Sequence, residues 1–288
     1  MPRIAYVDGR YVLHGEAAVS IEDRGFQFAD GVYEVITLVG GRLADEAGHL
    51  ERLDRSLREL RIPRPVGDAT LRQILRRLIT LNRVRDAIPY IQITRGPAPR
   101  DFKFPARPAP TLVVTCRRTR FLPRRLVEEG VPVVTMPDIR WLRRDIKSVS
   151  LLPQVLGKQC AVEAGGHEGW MLDPDGTVTE GCSSNAWIVT ADGVLVTRPA
   201  SNLILNGITR LTLLRLARAE GIVVEERPFS LEEAFAAREA FLSAATAFVL
   251  PVTRIDGRPV GDGRPGPVAQ RLRTAYLAYL GVPDPVLS

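Results

Sequence analysis

Residues 168–197 read EGWMLDPDGTVTEGCSSNAWIVTADGVLVT. Two turn signals divide this stretch, Asp173-Pro174-Asp175-Gly176 and Asp192-Gly193. Asp-Gly pairs between apolar runs are strong hairpin signals, so two hairpins are predicted here. Strands that return by hairpins need no regular crossover helices. The stretch therefore predicts an α+β fold rather than a doubly wound parallel sheet.

Working outward, Val131–Thr135 reads as a strand and Leu151–Ala164 as a helix. Downstream, a helix opens near Gly207 and closes at Gly221, a C-cap glycine. Ile222–Glu226, Ala240–Ser243 and Val249–Ile255 read as strands, and Gln270–Tyr279 as a last helix. Near the start, Ile4–Val7 and Tyr11–His14 flank Asp8-Gly9 as a hairpin. Gly31–Val39 alternates as a strand and turns at Gly40-Gly41. A helix from Glu46 to Arg61 places Leu50, Leu53, Leu57 and Leu60 on one face. Asp68 reads as the N-cap of a second helix ending near Leu81, followed by strands Ile88–Thr94 and Thr111–Cys116. The charged, aperiodic stretch Arg117–Arg125 reads as a linker. Two α+β domains are expected: a small one over 1–118 and a large one over 126–288, joined by 119–125.

The chain has 288 residues, 45% hydrophobic and 25% charged, the make-up of an ordinary globular enzyme. No run approaches the roughly 20 apolar residues that cross a bilayer. Met1 to Val12 has no long apolar run behind a basic start, so no signal peptide is expected. Cys116, Cys160 and Cys182 are odd in number and form no C-x-x-C pair, so neither a disulfide framework nor a metal site is indicated and a reducing cytoplasm is expected. The net charge of +6 comes from arginines spread along the chain, which favours anionic small substrates over nucleic acid.

Of 39 basic residues only three are lysines, Lys103, Lys147 and Lys158. A chain that uses arginine wherever charge suffices keeps lysine where an amine is needed. Schiff-base formation is such a task, because guanidinium is never neutral near pH 7. Burial beside a cofactor lowers a lysine's pKa and makes the amine available. Lys147 lies in Arg144-Asp145-Ile146-Lys147-Ser148, whereas Lys158 reads as solvated helix surface; the role of Lys103, in a loop, stays open. Leu205-Asn206-Gly207-Ile208-Thr209-Arg210 leads into a helix whose first backbone N–H groups suit a phosphate.

These segments, with His49-Leu50-Glu51-Arg52-Leu53, Thr179-Glu180-Gly181-Cys182-Ser183-Ser184-Asn185 and Ser243-Ala244-Ala245-Thr246-Ala247, resemble the fold-type-IV pyridoxal-phosphate enzymes from about Ile4 to Gly281. The motifs are most similar to those of the D-amino-acid aminotransferases. The resemblance implies a two-domain α+β fold, pyridoxal 5'-phosphate as cofactor and a homodimer. It makes Lys147 the Schiff-base lysine and places Glu180 at the pyridine nitrogen. It assigns the phosphate to Arg52, Ile208, Thr209, Ala245 and Thr246. Cys182 stands where the family often has serine, and the alanines of 243–247 replace hydroxyl residues.

Phe28-Ala29-Asp30-Gly31-Val32-Tyr33-Glu34-Val35 is similar to the substrate strand of the D-amino-acid enzymes. It makes Tyr33 and Val35 substrate-binding, with Tyr33 facing the carboxylate. The loop Thr94–Pro105 resembles one that reaches a carboxylate from the neighbouring subunit. Arg100 matches its arginine, and Phe102 stands in place of its histidine. The implied reaction is ping-pong transamination between a D-amino acid and a 2-oxo acid. Branched-chain L-amino-acid or (R)-amine transamination, or aminodeoxychorismate lysis, are the alternatives. No metal, nucleic acid or membrane partner is expected.

Overall fold

The computed structural model describes residues 3–119 and 121–284. Met1, Pro2, Arg120 of the expected linker, and 285–288 at the end of the expected C-terminal domain lie outside them. The chain divides into two compact units. One is Met1–Arg120 with Ile146–Ser150, and the other is Phe121–Asp145 with Leu151–Ser288. The segment carrying Lys147 thus packs with the first unit, although it lies inside the domain expected over 126–288.

In the first unit, β1 (Ile4–Val7) and β2 (Arg10–Leu13) form the hairpin read from Asp8-Gly9. A short helix α1 (Arg24–Phe28), which the sequence reading missed, is capped by the Asp23 carboxylate on the Gly25 N–H. The alternating run 31–39 is broken into β3 (Gly31–Val35) and β4 (Leu38–Val39), and β4 turns into β5 (Arg42–Leu43). Helices α2 (Glu46–Glu59) and α3 (Asp68–Asn82) precede β6 (Ala87–Thr94) and β7 (Leu112–Arg118). Every pairing in this sheet is antiparallel. Leu50, Leu53 and Leu57 of α2 are buried with Leu71, Leu75 and Leu78 of α3 in one core. Burying each such side chain contributes roughly 1.5–3 kcal/mol. Asp68 opens α3 but does not cap it; Gly67 is the N-cap and Asp68 instead pairs with Arg64.

The expected linker is shorter than its composition suggests. β7 runs to Arg118, and α4 (Arg124–Glu129) begins inside 119–125. In the second unit follow β8 (Val131–Pro137), α5 (Leu152–Glu163), β9 (Glu168–Leu172), β10 (Val178–Gly181), β11 (Asn185–Val189) and β12 (Leu195–Thr197). Then come α6 (Ile208–Ala219), β13 (Val224–Glu226), α7 (Leu231–Ala236), β14 (Glu239–Ala244), β15 (Phe248–Ile255), β16 (Arg258–Pro259) and α8 (Pro267–Leu280). Both predicted hairpins form, β9 with β10 and β11 with β12. The sheet order is β10-β9-β8-β15-β14-β11-β12-β13. It is mixed: β8 runs parallel to β9 and β15, and β12 parallel to β13. Helix α7 was overlooked, although Ser230 and Glu233 form a capping box that the sequence spells out.

Two registers position the chemistry. Asn185 pairs with Ser243, which brings the start of β11 beside the end of β14. Val32 bridges Ser148, so the Lys147 segment lies along β3.

Candidate active site

In the first unit, Lys147 is fixed by its backbone. Its carbonyl accepts from the Tyr33 N–H at 3.0 Å, and its N–H donates to Ser56 Oγ at 3.3 Å. The Val149 N–H donates to the Gly31 carbonyl. The ammonium Nζ then donates to the Tyr33 hydroxyl at 3.3 Å and lies 4.3 Å from the centre of that ring. Tyr33 stacks on Tyr90 at 5.6 Å. Burial, with Tyr33 adding to it, pushes the Tyr90 phenol up to about 12. Tyr33 and Val35 are half-buried on one face of β3, while Glu34 is buried on the other.

Glu34 is the strongest feature the sequence reading left out. Its carboxylate takes both forks of Arg52, Nε at 2.7 Å and Nη2 at 2.8 Å, and meets His49 Nδ1 at 2.7 Å. Burial opposes its ionisation, yet Arg52 and His49 hold its pKa down at about 2. His49 is lowered by burial first, with Arg52 and Lys147 adding to that. Arg52 is therefore a paired, half-buried arginine rather than a fully solvated one. His49, Arg52 and Ser56 fall at i, i+3 and i+7 of α2, a polar stripe beside the leucine face.

The loop after β6 is held by arginines. Arg95 is buried, grips Asp30 with two N–H groups and donates to the Leu60 and Arg61 carbonyls. Arg24 joins Asp30 to the carbonyls of Asp101 and Lys103. Further out, the Arg100 guanidinium lies 4.7 Å from the Phe28 ring, and Phe102 packs on Phe28 at 5.5 Å. Both Arg100 and Phe102 are exposed.

In the second unit, Glu180 on β10 is buried. Its Oε1 accepts from Arg140 Nη1 at 2.5 Å and from the Leu205 N–H at 3.0 Å, and its Oε2 from Asn185 Nδ2 at 2.9 Å. Burial raises the Glu180 pKa against the pull of Arg140. Asn185 also donates to the Leu205 carbonyl. It sits so close to Gly207 that a Cβ there would clash with Asn185 Oδ1. Gly207 thus allows the start of α6 to approach the Glu180–Asn185 pair. No side chain caps α6 at Gly207, and Ile208 and Thr209 of its first turn are buried. Arg210 of the same segment is buried on Glu226 and the Arg198 carbonyl. Ala245 and Thr246 lie in the turn between β14 and β15, just past the Ser243–Asn185 register. Cys182 packs against Met136, and burial pushes its thiol up to about 11. Lys158 lies on α5 with its side chain well exposed, as solvated helix surface, and it is also engaged. Its ammonium bonds the His167 carbonyl and lies 3.6 Å from Glu168.

Each unit therefore gathers its own share of the expected residues: Lys147, Tyr33 and Arg52 in the first, and Glu180, Ile208, Thr209, Ala245 and Thr246 in the second. Arg140 was missed because nothing local marks it. Its partner Glu180 is 40 positions away.

Comparison with known proteins agrees on the family. The model for Amino-transferase class IV matches residues 31–255. A D-alanine aminotransferase of Bacillus licheniformis is 42% identical over 268 residues, 93% of this chain and 94% of that protein. One of Staphylococcus haemolyticus is 38% identical over 275 residues, 96% and 97%. Among solved structures, the branched-chain amino acid aminotransferase from Escherichia coli superposes with a TM-score of 0.89 at 25% identity, over 99% of this chain and 97% of that one. That of Thermobaculum terrenum, in its PLP form, gives 0.84 at 26%, over 97% and 94%. The match over most of the chain and the identity to full-length relatives show that this chain belongs to the class IV aminotransferases.

Proposed function

We propose that this chain is a pyridoxal-phosphate-dependent transaminase acting between a D-amino acid and a 2-oxo acid. The observation that carries the reading is Lys147: one of three lysines, anchored by its backbone to β3 and α2, with its amine on the Tyr33 hydroxyl. Preference for D-amino acids is supported by the D-alanine aminotransferases, which are 38–42% identical, against 25–26% for the branched-chain enzymes.

The residues fit the cofactor: an amine beside a phenol, a buried acid, and a helix start without a side-chain cap. When bound, pyridoxal phosphate supplies an electron sink for the pair left when the Cα proton departs. Lys147 would hold the cofactor, and its amine would carry the Cα proton to the cofactor rather than back to Cα. Tyr33 orients that amine and faces the substrate carboxylate, with Val35 beside it on the same face of β3. Glu180 holds a proton at the pyridine nitrogen, while Asn185 and the Leu205 N–H keep its carboxylate aimed. The N–H groups of Ile208 and Thr209, the turn Ala245-Thr246 and the Arg52 guanidinium bind the phosphate. Arg100 takes the substrate carboxylate of a neighbouring subunit, and Phe102 contributes no polar group to it. A homodimer is supported by the apolar side chains that α5 exposes, Leu152, Val155, Leu156 and Val162.

The test is direct. Purified protein with pyridoxal phosphate should be yellow, and borohydride should fix the cofactor to Lys147. A Lys147→Ala protein that turned over D-alanine and 2-oxoglutarate at the unmutated rate would overturn the reading. L-leucine or L-valine serving far better than any D-amino acid would replace it with the branched-chain activity.

A further inference from the structure

Glu180 does not end at Arg140. Arg140 gives its Nε and Nη2 to the two oxygens of Asp138, at 2.9 and 2.6 Å. Asp138 Oδ2 also accepts from Thr179 Oγ1 at 2.7 Å and lies 3.2 Å from Arg144 Nη1. Arg144 passes on to Asp173 Oδ1 at 2.8 Å, and Asp173 Oδ2 takes Arg198 Nη2 at 2.8 Å. Arg198 finishes on Thr177 Oγ1 and the Val178 carbonyl. The order is Glu180, Arg140, Asp138, Arg144, Asp173, Arg198: six groups of strictly alternating charge. The side chains of all six are at most 11% exposed.

The arithmetic of charge matters here. The five groups behind Glu180 are three arginines and two aspartates, a net charge of +1. A buried net charge is costly unless it is matched. Glu180 is the anion that matches it, so the series favours the carboxylate against its own burial. No hydrophobic replacement of a single member leaves the rest balanced.

We infer that the buried series Arg198–Asp173–Arg144–Asp138–Arg140 sets the protonation of Glu180, with Asp138 and Arg144 as positioning residues that act on it with opposite signs. The inference deepens the proposed function and rests on it for its catalytic meaning, because Glu180 is there the acid facing the pyridine nitrogen. Among the described residues, the charged groups that act most strongly on Glu180 are Arg140 and, behind it, Asp138, both from the segment after β8. Asn185 from β11 and the Leu205 N–H ahead of α6 complete its hydrogen bonds. Glu168 on β9 is the nearby acid of the same sheet end, and its carboxylate is engaged by Ser183, Ser184 and Lys158.

The sign of each effect follows from Coulomb's law. Asp138→Asn removes a negative charge, so Glu180 gives up its proton at lower pH. Arg144→Gln removes a positive charge, so Glu180 keeps its proton to higher pH. At an effective permittivity of about 20, a unit charge two ion pairs away shifts a titration by on the order of one pH unit. Asp173→Asn should act like Asp138→Asn but more weakly. Thr179→Val removes a hydrogen bond to Asp138 without removing charge and should leave the titration in place.

The experiment is an infrared pH titration of the cofactor-free protein, with the Glu180 carboxyl band identified by difference against Glu180→Gln. A parallel titration follows the visible absorbance of each variant with pyridoxal phosphate bound. Opposite displacements of Glu180 in Asp138→Asn and Arg144→Gln, with Asp173→Asn as the weaker copy of the first, are the expected result. Displacement in one direction for all variants, or none, overturns the inference; if Asp138→Asn fails to fold, Asp173→Asn against Arg144→Gln decides it. Should Glu180 move as expected while the bound cofactor's absorbance titration does not, the series stands and the assignment of Glu180 to the pyridine nitrogen falls.

Discussion

Glu34 and Glu180 are both fully buried glutamates against an arginine, and their pKa values move in opposite directions. Glu34 takes both forks of Arg52 and the His49 ring as well, and it falls to about 2. Glu180 receives one nitrogen of Arg140, whose other face is occupied by Asp138, and burial raises it. Glu34 draws on both Arg52 and His49, whereas Arg140 is shared between two carboxylates and neutralises each only in part. The first arrangement suits a fixed anion that holds a structure. The second suits an acid whose proton can respond to a bound group.

The largest way to break this contrast is Glu34→Gln in the cofactor-free protein. It leaves the half-buried Arg52 charge without its carboxylate, which should cost about 3 kcal/mol of stability. A urea titration reads this directly, and an unchanged midpoint would show that Glu34 does not hold Arg52. Adding pyridoxal phosphate should recover part of the loss if Arg52 binds its phosphate.

The pH dependence of stability sharpens the same contrast. Glu34 is lowered from an ordinary 4.5 to about 2, so its stabilisation is complete above about 4.5 and lost as the pH falls through about 2. The full contribution is about 3 kcal/mol. Glu180 is raised, so its contribution has the opposite sign: it is present below the ordinary value and lost as the pH rises past the raised one. Glu34→Gln should therefore flatten the acid limb of a stability profile between about pH 4.5 and 2, while Glu180→Gln should not.

Glu180→Gln should show its effect in rate instead. The amide keeps the size and loses the charge, so folding and cofactor binding should persist while kcat falls about 100-fold, or ~2.7 kcal/mol. An unaltered kcat would make Glu180 a structural residue like Glu34.

The smallest effect is expected at the exposed loop. Arg100→Ala should lower kcat/KM for D-alanine about tenfold, corresponding to one charge-assisted contact of ~1.5 kcal/mol. It should leave (R)-amines without a carboxylate nearly unaffected. Tyr33→Phe should show the same bias more weakly. Equal losses on both substrate types would remove Arg100 from carboxylate binding.

The sequence by itself determined most of the elements and the residue types of the candidate site. The Asp-Gly turns, the leucine spacing of α2 and Gly221, left-handed one residue past the α6 C-cap Glu220, act over a few positions, so local pattern reveals them. Lys147 stands out because lysine is scarce, and the α6 start because Gly207 precedes it. Tertiary structure alone decided the rest. The parallel pairing of β8 with β9 and β15, and the packing of 146–150 on β3, join segments far apart in the chain, and no periodicity encodes such a partner. The same holds for the ion pairs. Arg140 meets Glu180 across 40 residues and Arg144 meets Asp173 across 29, in a chain where any of many arginines could have served. Local pattern specifies which face of an element is apolar. Which charge is left beside which, once those faces are buried, depends on the folded arrangement, and so therefore does the contrast between Glu34 and Glu180.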